Sequence, residues 1–395
     1  MHNAFALCRR VRGAAVVALV AGGLGLVAAC GGDGVSGPTI GGPAAPNGLA
    51  SCAPTPVLTV SPIELSQIYE FTPLGNLNPS GHVFPTDHMY FYTRAAAGGL
   101  REEVPLRFPG NGRVGNVMVQ KFLAPTPHFD YTVSFFPCAD LRIYFAHVTE
   151  LLPSFAAKVG SMDVSCNAPY TTGGITVQQC YKDVSIEVAA GDTFALTRGG
   201  DFGAYDRRTP ALGFINQVRI GGSGDFGQLH TVCPVDYFEP GVRDGLRALL
   251  GRFGQSVHRT IEPVCGEIMQ DKPNTAQGRW FYDNSPTEDA HLALVHDNVD
   301  PTQAVFSVGT SVPGLTSGTY AFAPNMSAAD HVNVDFGQVT ADGAIFCYET
   351  QFPRIRRVLV QLLTGSRLRI EASSATTCGP MSTWVFTPSA AEFSR

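Results

Sequence analysis

The sequence carries little charge. Charged residues make up 15% of its 395 residues, against roughly 25% in an average soluble protein. Positive charge is the scarcer sign, since 27 Lys and Arg stand against 33 Asp and Glu and the net charge is −6. Because a nucleic-acid backbone is bound by a basic surface, this balance argues against a nucleic-acid partner. Hydrophobic residues reach 44%, which is enough for a sizeable core, so intrinsic disorder is not expected.

Several motifs of catalytic and metal-binding proteins are missing. There is no Gly-x-Ser-x-Gly elbow, no phosphate-binding P-loop and no dinucleotide fingerprint after a strand. No two cysteines have Cys-x-x-Cys spacing, which argues against a zinc ribbon or a thioredoxin-like site. No convincing internal repeat is present, so a repeat architecture is not expected.

The N-terminal segment resembles a targeting signal. Three arginines in the first twelve residues precede an apolar run over 13–29, which is short for a membrane-spanning helix of about 20 residues. The run ends Leu26-Val27-Ala28-Ala29-Cys30, which resembles a bacterial lipobox. We therefore expect a signal peptide over 1–29, lipidation of Cys30 and attachment to a membrane through that anchor. Since Gly31 and not Asp follows, the expected place is the outer membrane, facing the periplasm or the cell surface; a plain secretory signal is the alternative.

Residues 30–57 are rich in Gly and Pro and have no periodicity. This composition predicts a flexible tether between the anchor and the folded part of the chain.

The cysteines indicate an oxidising compartment. Besides Cys8 and Cys30, the candidates for disulfides are Cys52, Cys138, Cys166, Cys180, Cys233, Cys265, Cys347 and Cys378. An even number in an exported chain predicts up to four disulfides. Proximity along the chain favours pairing 347 with 378 and 233 with 265, and one pair among 138, 166 and 180.

The apolar runs are short, β-branched and aromatic, and Gly- and Pro-rich turns separate them, so they predict strands. The predicted strands are 57–60, 88–92, 114–122, 131–136, 141–147, 184–188, 194–197, 292–295, 305–308, 320–322, 345–348, 358–363, 368–372 and 384–386. One helix is expected near 240–251, where apolar residues recur at helical spacing after Pro240. We expect a mostly β chain: an antiparallel β domain over 58–265, then a small sandwich-like or barrel-like β domain over 266–395, with 252–279 as a connection.

Residues 75–215 carry landmarks in an order that resembles the β domain of the lysostaphin/LytM-type zinc endopeptidases, which cut peptidoglycan. The family's His-x-x-x-Asp falls at 88–92, and its Tyr-x-His segment ends at His147, although Phe145 stands two residues before that histidine and Tyr144 three before. Its Val-x-x-Gly-Asp matches 188–192, and its final His-x-His falls in 201–206. The resemblance implies a LytM-like fold, with His88 as the first zinc ligand and His147 as the catalytic histidine.

The same positions depart from the family's zinc site. Tyr92 stands where the Asp ligand is expected, and the third ligand falls near Gly203. Asp201 or Asp206 could substitute, and we take His88 and Asp206 as the candidate metal ligands. Because a catalytic zinc needs three protein ligands and an open position, the departures predict a degenerate site with no cofactor. Zinc is the alternative.

The expected function is binding. We predict a lipid-anchored envelope protein that binds rather than catalyses, and whose degenerate LytM-like domain binds cell-wall glycopeptide or an envelope protein. One alternative is a zinc-dependent peptidoglycan endopeptidase that uses His88, a substitute carboxylate and His147; the other is a structural envelope lipoprotein. The second domain's aromatic residues are expected in its core rather than on a sugar-stacking platform: Trp280, Phe281, Tyr282, Tyr320, Phe322, Trp384 and Phe386.

Overall fold

The computed structural model describes residues 43–395, except 97–99, 173–174, 221–225, 326, 328–329 and 352–353. The described residues belong to one compact unit. The predicted signal peptide, the lipidation candidate Cys30 and residues 31–42 of the predicted tether lie outside the described residues. In the described part of the chain, no helix has both the length and the apolar character needed to cross a bilayer.

The fold is mostly β, as predicted, and its sheets are antiparallel. The strands before residue 207 are β1 (Ile68–Thr72), β2 (His88–Thr93), β3 (Val104–Arg107), β4 (Gly112–Ala124), β5 (His128–Cys138), β6 (Leu141–Val148), β7 (Glu150–Leu151), β8 (Ser165–Cys166), β9 (Tyr170–Thr172), β10 (Ile175–Val188), β11 (Thr193–Thr197) and β12 (Gly199–Asp206). The later strands are β13 (Gly251–Arg252), β14 (Val257–His258), β15 (Gly278–Trp280), β16 (Leu292–His296), β17 (Ala304–Val308), β18 (Gly318–Phe322), β19 (Phe346–Glu349), β20 (Arg357–Thr364), β21 (Arg367–Ser373) and β22 (Ala391–Ser394).

Among the described residues, two short α-helices lie between strands, α1 (Pro153–Val159) and α2 (Pro240–Arg247). The described 3-10 turns are Leu65–Gln67, Gln228–His230, Pro234–Tyr237, Glu288–Ala290, Phe336–Gln338 and Met381–Thr383. Each α-helix begins at a proline, whose fixed φ suits the first helical position. The helix expected over 240–251 ends earlier, at Arg247, because Gly251 pairs with His258 in the hairpin β13–β14. Helix α1 was not predicted.

One large sheet dominates the first half of the chain. Its strand order is β1-β2-β12-β6-β5-β4-β10-β8, and β9 also pairs with β10. The strands β3, β11 and β7 form a second small sheet. Alternation sets the faces: Val117, Val119 and Val133 are buried, whereas Met118 and Gln120 between them are partly exposed.

The second half contains two four-stranded sheets, β15-β16-β17-β18 and β19-β20-β21-β22. They enclose a core of their own that includes Trp280, Phe306 and Tyr348. Phe281 and Val295 belong instead to the core of the first half. The two-domain division near residue 265 therefore stays a prediction.

Arg279 joins the two halves. Its guanidinium carbon lies 5.1 Å from the ring centroid of Phe84 and 4.4 Å from that of Phe214. One of its terminal nitrogens donates to the carbonyl oxygen of Pro85 at 3.0 Å. A residue of the second half is thus bound inside the first.

Some strand predictions were wrong. Residues 384–386 are not a strand, because the Trp384 indole N–H donates to the Cys378 carbonyl at 2.8 Å and the ring packs beside a disulfide. Residues 57–60 form only an isolated bridge, Leu58 with Phe238. The stretch 252–279 is not a plain connection, since it contains β14 and the start of β15.

The described part of the chain contains four disulfides: Cys52–Cys138, Cys166–Cys180, Cys233–Cys265 and Cys347–Cys378. The two favoured pairs and a pair within the third group are confirmed. Cys138 pairs with Cys52, which lies in the predicted tether. The described end of the predicted tether is therefore not a flexible linker, because Cys52 is bonded to the sheet and Ala45 and Leu49 pack against it.

Candidate functional site

The strand order of the large sheet gathers four polar residues on one face. His88 begins β2, Asp201 lies on β12, His147 on β6 and Asp130 on β5, and these four strands are consecutive in the sheet. The register sets Asp201 opposite Ala146 on one side and opposite Tyr90 on the other. Residues that stand far apart in the sequence therefore form one cluster, which we call the His–Asp cluster.

His88 is buried and held at both ring nitrogens. Its Nδ1 lies 3.0 Å from Asp87 Oδ1, and its Nε2 lies 2.9 Å from the hydroxyl of Tyr90 and 3.5 Å from Asp201 Oδ2. Burial by itself would lower the pKa of His88, but the carboxylates of Asp201 and Asp87 raise it above its ordinary value. The imidazole is thus fixed in orientation and favoured in its charged form.

His147 is the exposed member of the cluster, with 48% of its side chain accessible. Its Nδ1 lies 2.6 Å from Asp130 Oδ2, and its Nε2 lies 3.6 Å from Asp201 Oδ2. The charge of Asp201, together with the hydrogen bond to Asp130, raises the pKa of His147 to about 9. At neutral pH this surface therefore presents an imidazolium held between two carboxylates.

The backbone around His147 is unusual. Its φ is 58°, in the left-handed region that non-glycine residues seldom adopt. Strand β12 approaches closely at this point, because a Cβ at Gly200 would overlap the carbonyl oxygen of Ala146. Sparsely populated backbone conformations occur preferentially at functional sites, so this strain agrees with a site at His147.

Asp201 stands at the centre of the cluster. Its side chain is 9% exposed and its Oδ2 lies near both imidazoles. Its Oδ1 is buried without a hydrogen-bond partner among the described residues. A buried carboxylate oxygen left unpaired is costly, which is another mark of a functional position.

Tyrosines surround the cluster. Tyr90 and Tyr92 follow His88 at even spacing on β2, and their rings stack with centroids 6.1 Å apart. Beneath them, the hydroxyl of Tyr205 donates to Asp87 Oδ2 at 2.6 Å, and its ring stacks on Tyr144 at 5.5 Å. Burial lowers the pKa of the neighbouring His82 to about 4, so this imidazole is neutral at pH 7.

The residues do not fit the zinc centre that the LytM resemblance implies. A Cβ at Gly203, the position of the third ligand, would overlap the ring of Tyr144. Tyr92, at the position of the Asp ligand, has the guanidinium carbon of Arg101 4.5 Å from its ring centroid. Burial and the charge of Glu70 raise the pKa of Tyr92 to about 12, so it is a neutral phenol at pH 7.

Asp206, the predicted partner of His88 at a metal, is engaged elsewhere. It lies five residues from Asp201 on β12 and therefore faces the other side of the sheet. Arg208 and the hydroxyl of Tyr237 bind its carboxylate, the latter at 2.6 Å. The structure brings together His88 and His147, but it does not bring Asp206 to them.

Another set of close ligand groups in the described residues is Asp163, Cys166 and Cys180. Both cysteines are joined in a disulfide, and a metal would need them as thiolates. We therefore assign no metal to this set.

No family model matches the chain, and neither does any curated protein or any solved structure. The LytM resemblance thus stays a prediction, and the site has to be interpreted from its own geometry.

Some of the site could not be found from the sequence. Asp130 and Asp87 were missed as partners of the two histidines. Asp87 precedes His88 directly, and Asp130 alternates with two aromatic residues in a strand, so adjacency and alternation were the available signals. The packing of Tyr144 against Gly203 had no sequence signal, because it depends on the pairing of β6 with β12.

Proposed function

We propose that this chain is a lipid-anchored bacterial envelope protein whose large sheet binds cell-wall glycopeptide without cleaving it. The observation that carries the proposal is the His–Asp cluster with its stacked tyrosines. This partly exposed face offers aromatic rings and fixed charges, and its described residues do not supply the set of zinc ligands that the LytM resemblance implies. Such a surface suits a ligand that combines sugar rings with a charged peptide stem, since aromatic faces contact sugars and charged side chains bind groups of the opposite charge.

Two charged side chains and one aromatic ring define what the face can recognise. His147 offers an imidazolium to a ligand carboxylate, and Asp130 beside it is 22% exposed and can accept from an ammonium group. Tyr92 adds a partly exposed ring on the same face, where the charge of Asp201 reaches it. A peptide stem with free carboxylates and an amine matches this alternation of charge.

The binding test uses purified muropeptides and the intact chain in calorimetric titrations. His147→Ala and Tyr92→Ala should each weaken binding about fivefold or more, since one charge-assisted hydrogen bond or one ring contact is worth about 1 kcal/mol. Tyr69→Ala is the matched control, because Tyr69 is a half-exposed tyrosine of the same sheet that packs against Gly254. Equal binding by all three variants would contradict the proposal, and no binding by the unaltered chain would favour the structural lipoprotein or a protein partner.

One observation favours the endopeptidase as a second candidate. Both histidines have a carboxylate at Nδ1, an arrangement that orients an imidazole for acid–base work or metal binding. Metal analysis of the purified chain, with muropeptide digestion alongside, separates the candidates. We expect well under one zinc per chain and no cleavage of cross-links. Stoichiometric zinc lost in His88→Ala, with cleavage lost in His147→Ala, would establish the hydrolase.

The anchor is tested separately. Cys30→Ser should abolish labelling by a radioactive fatty acid and leave the signal unprocessed or the chain released. Unchanged labelling and processing would contradict lipidation at Cys30.

A further inference from the structure

The tip of the hairpin formed by β4 and β5 is apolar and exposed. The segment 123–129 reads Leu-Ala-Pro-Thr-Pro-His-Phe and contains no Asp, Glu, Lys or Arg. Leu123 is 41% exposed and Phe129 is 54% exposed. Val164, 65% exposed, stands next to Asp163, which pairs with Lys121 directly across from Phe129. We call Leu123, Phe129 and Val164 the apolar tip.

A groove of about 200 Å³ continues from the apolar tip. It lies between β5 and α1, and Phe129, Tyr131, Leu151 and Met162 line it. Leu151 also belongs to the main core, so the groove is a place where that core reaches the surface. Contiguous apolar surface of this kind marks an interaction site more often than isolated exposed residues do.

Lysines are concentrated around the apolar tip. The chain has only four lysines, and three of them border this region. Lys121 pairs with Asp163, Lys158 is exposed in the last turn of α1, and Lys182 donates to the Val159 carbonyl at 2.6 Å. Glu150 lines the groove and Asp163 pairs with Lys121, whereas Asp183, next to Lys182, points to the other face of its strand. On the face of the apolar tip, these three lysines thus outnumber these two acids by one, on a chain whose net charge is −6.

We propose that the apolar tip docks on the surface of an anionic lipid bilayer, with the exposed rings and aliphatic groups at the boundary of headgroups and acyl chains. Apolar side chains next to lysines suit such a surface. The apolar side chains gain free energy by leaving water, and the lysines gain it by attraction to anionic headgroups. The inference does not depend on glycopeptide binding. Phe129 and Asp130 are adjacent on a strand and therefore point to opposite faces, so docking would leave the His–Asp cluster facing away from the membrane.

The test places a fluorescent reporter in the tip of the full-length chain. The chain's two tryptophans, Trp280 and Trp384, are 0% and 5% exposed, so a new tryptophan is read over a buried background. Phe129→Trp should shift its emission to the blue and be quenched by doxyl-labelled lipid in phosphatidylcholine vesicles that contain phosphatidylglycerol. Val385→Trp is the control, because Val385 is 69% exposed in the second half of the chain, and its emission should not change even if a lipid anchor holds the chain at the vesicle.

A second pair of variants tests the charge in the Phe129→Trp chain. Lys158→Glu should reduce the quenching at low salt by about half or more, because it reverses one attractive charge at the bilayer. Lys272→Glu alters the one lysine outside the region and should leave the quenching unchanged. Equal quenching of the two reporters, equal effects of the two lysine changes, or a blue shift that needs no vesicles and grows with protein concentration would each overturn the proposal, and the last would indicate a second copy of the chain as the partner.

Discussion

The two halves of the chain differ in what their sheets enclose. The large sheet of the first half keeps Asp87, His88 and Asp201 buried on one of its faces. The core between the two small sheets of the second half is built from apolar and aromatic side chains, among them Phe306 and Phe322 with centroids 5.7 Å apart. Polar groups that are buried in a network are costly unless each finds its partner, whereas an aromatic core gains from burial alone. The proposed ligand chemistry therefore concerns the first half, and we expect the second half mainly to contribute stability.

The largest expected effect is in the aromatic core. Trp280→Ala should lower the free energy of unfolding by about 3–5 kcal/mol, the usual cost of removing a buried large side chain. Trp280 is fully buried, and its indole N–H donates to the carbonyl of Ala276 at 2.8 Å. Denaturant unfolding measures the change. Val385→Ala is the control and should stay within about 0.5 kcal/mol, so equal effects of the two changes would remove the contrast.

An intermediate effect is expected where the polar face is closely packed. Gly203→Ala should destabilise the chain by about 1–3 kcal/mol, because the added methyl group overlaps the ring of Tyr144 and the core has to shift. Gly213→Ala is the matched control, since a Cβ there meets no atom within 4 Å. Thermal unfolding of both variants measures the difference. If Gly203→Ala were as stable as its control, the zinc-ligand position would have room for a side chain after all.

The smallest effect is expected at the surface of the His–Asp cluster. Asp130→Asn should lower the pKa of His147 from about 9, though Asp201 should still hold it above its ordinary value near 6.5. Folding raises the pKa of His147, so the charged imidazole stabilises the folded chain. This contribution to the free energy of unfolding is complete below pH 6.5 and is lost as the pH rises through about 9. At neutral pH, Asp130→Asn should lower the free energy of unfolding by no more than about 1 kcal/mol, since His147 is half exposed.

A proton NMR titration of the imidazole Cε1–H measures that pKa directly. Asp163→Asn serves as the control, because Asp163 lies on the other side of β5 and pairs with Lys121. A midpoint unchanged by Asp130→Asn would mean that the hydrogen bond between Asp130 and His147 does not form in solution.

The parts of the fold that follow from local pattern could be predicted from the sequence. Alternation and β-branched runs predicted most of the strands, and proximity along the chain predicted the pairs 233–265 and 347–378. The pair Cys52–Cys138 could not be predicted in this way, because 86 residues separate its members and only the folded sheet brings them together.

The same limit applies to the site. The even spacing of His88 and Tyr92 on one strand predicted a shared face, and His147 was singled out by its landmark. The sequence could not decide between Asp201 and Asp206. That choice depends on which side chains of β12 lie on the same side of the sheet as His88 and His147. Spacing in the sequence divides the residues of each strand between two faces, but it does not say which of these faces lies on the same side of the sheet as a given face of the neighbouring strands.

Arg279 bears on how the molecule melts. Its guanidinium group lies between Phe84 and Phe214, while Phe281 and Val295 complete the first core, so unfolding of the second half removes side chains from the first. Heat should therefore unfold both halves in one cooperative transition, and calorimetry should give a single peak whose van't Hoff and calorimetric enthalpies agree. A fragment that stops at residue 265 lacks Arg279, Phe281 and Val295 and would expose the part of the first core that they cover. It should aggregate at a lower temperature than the full chain.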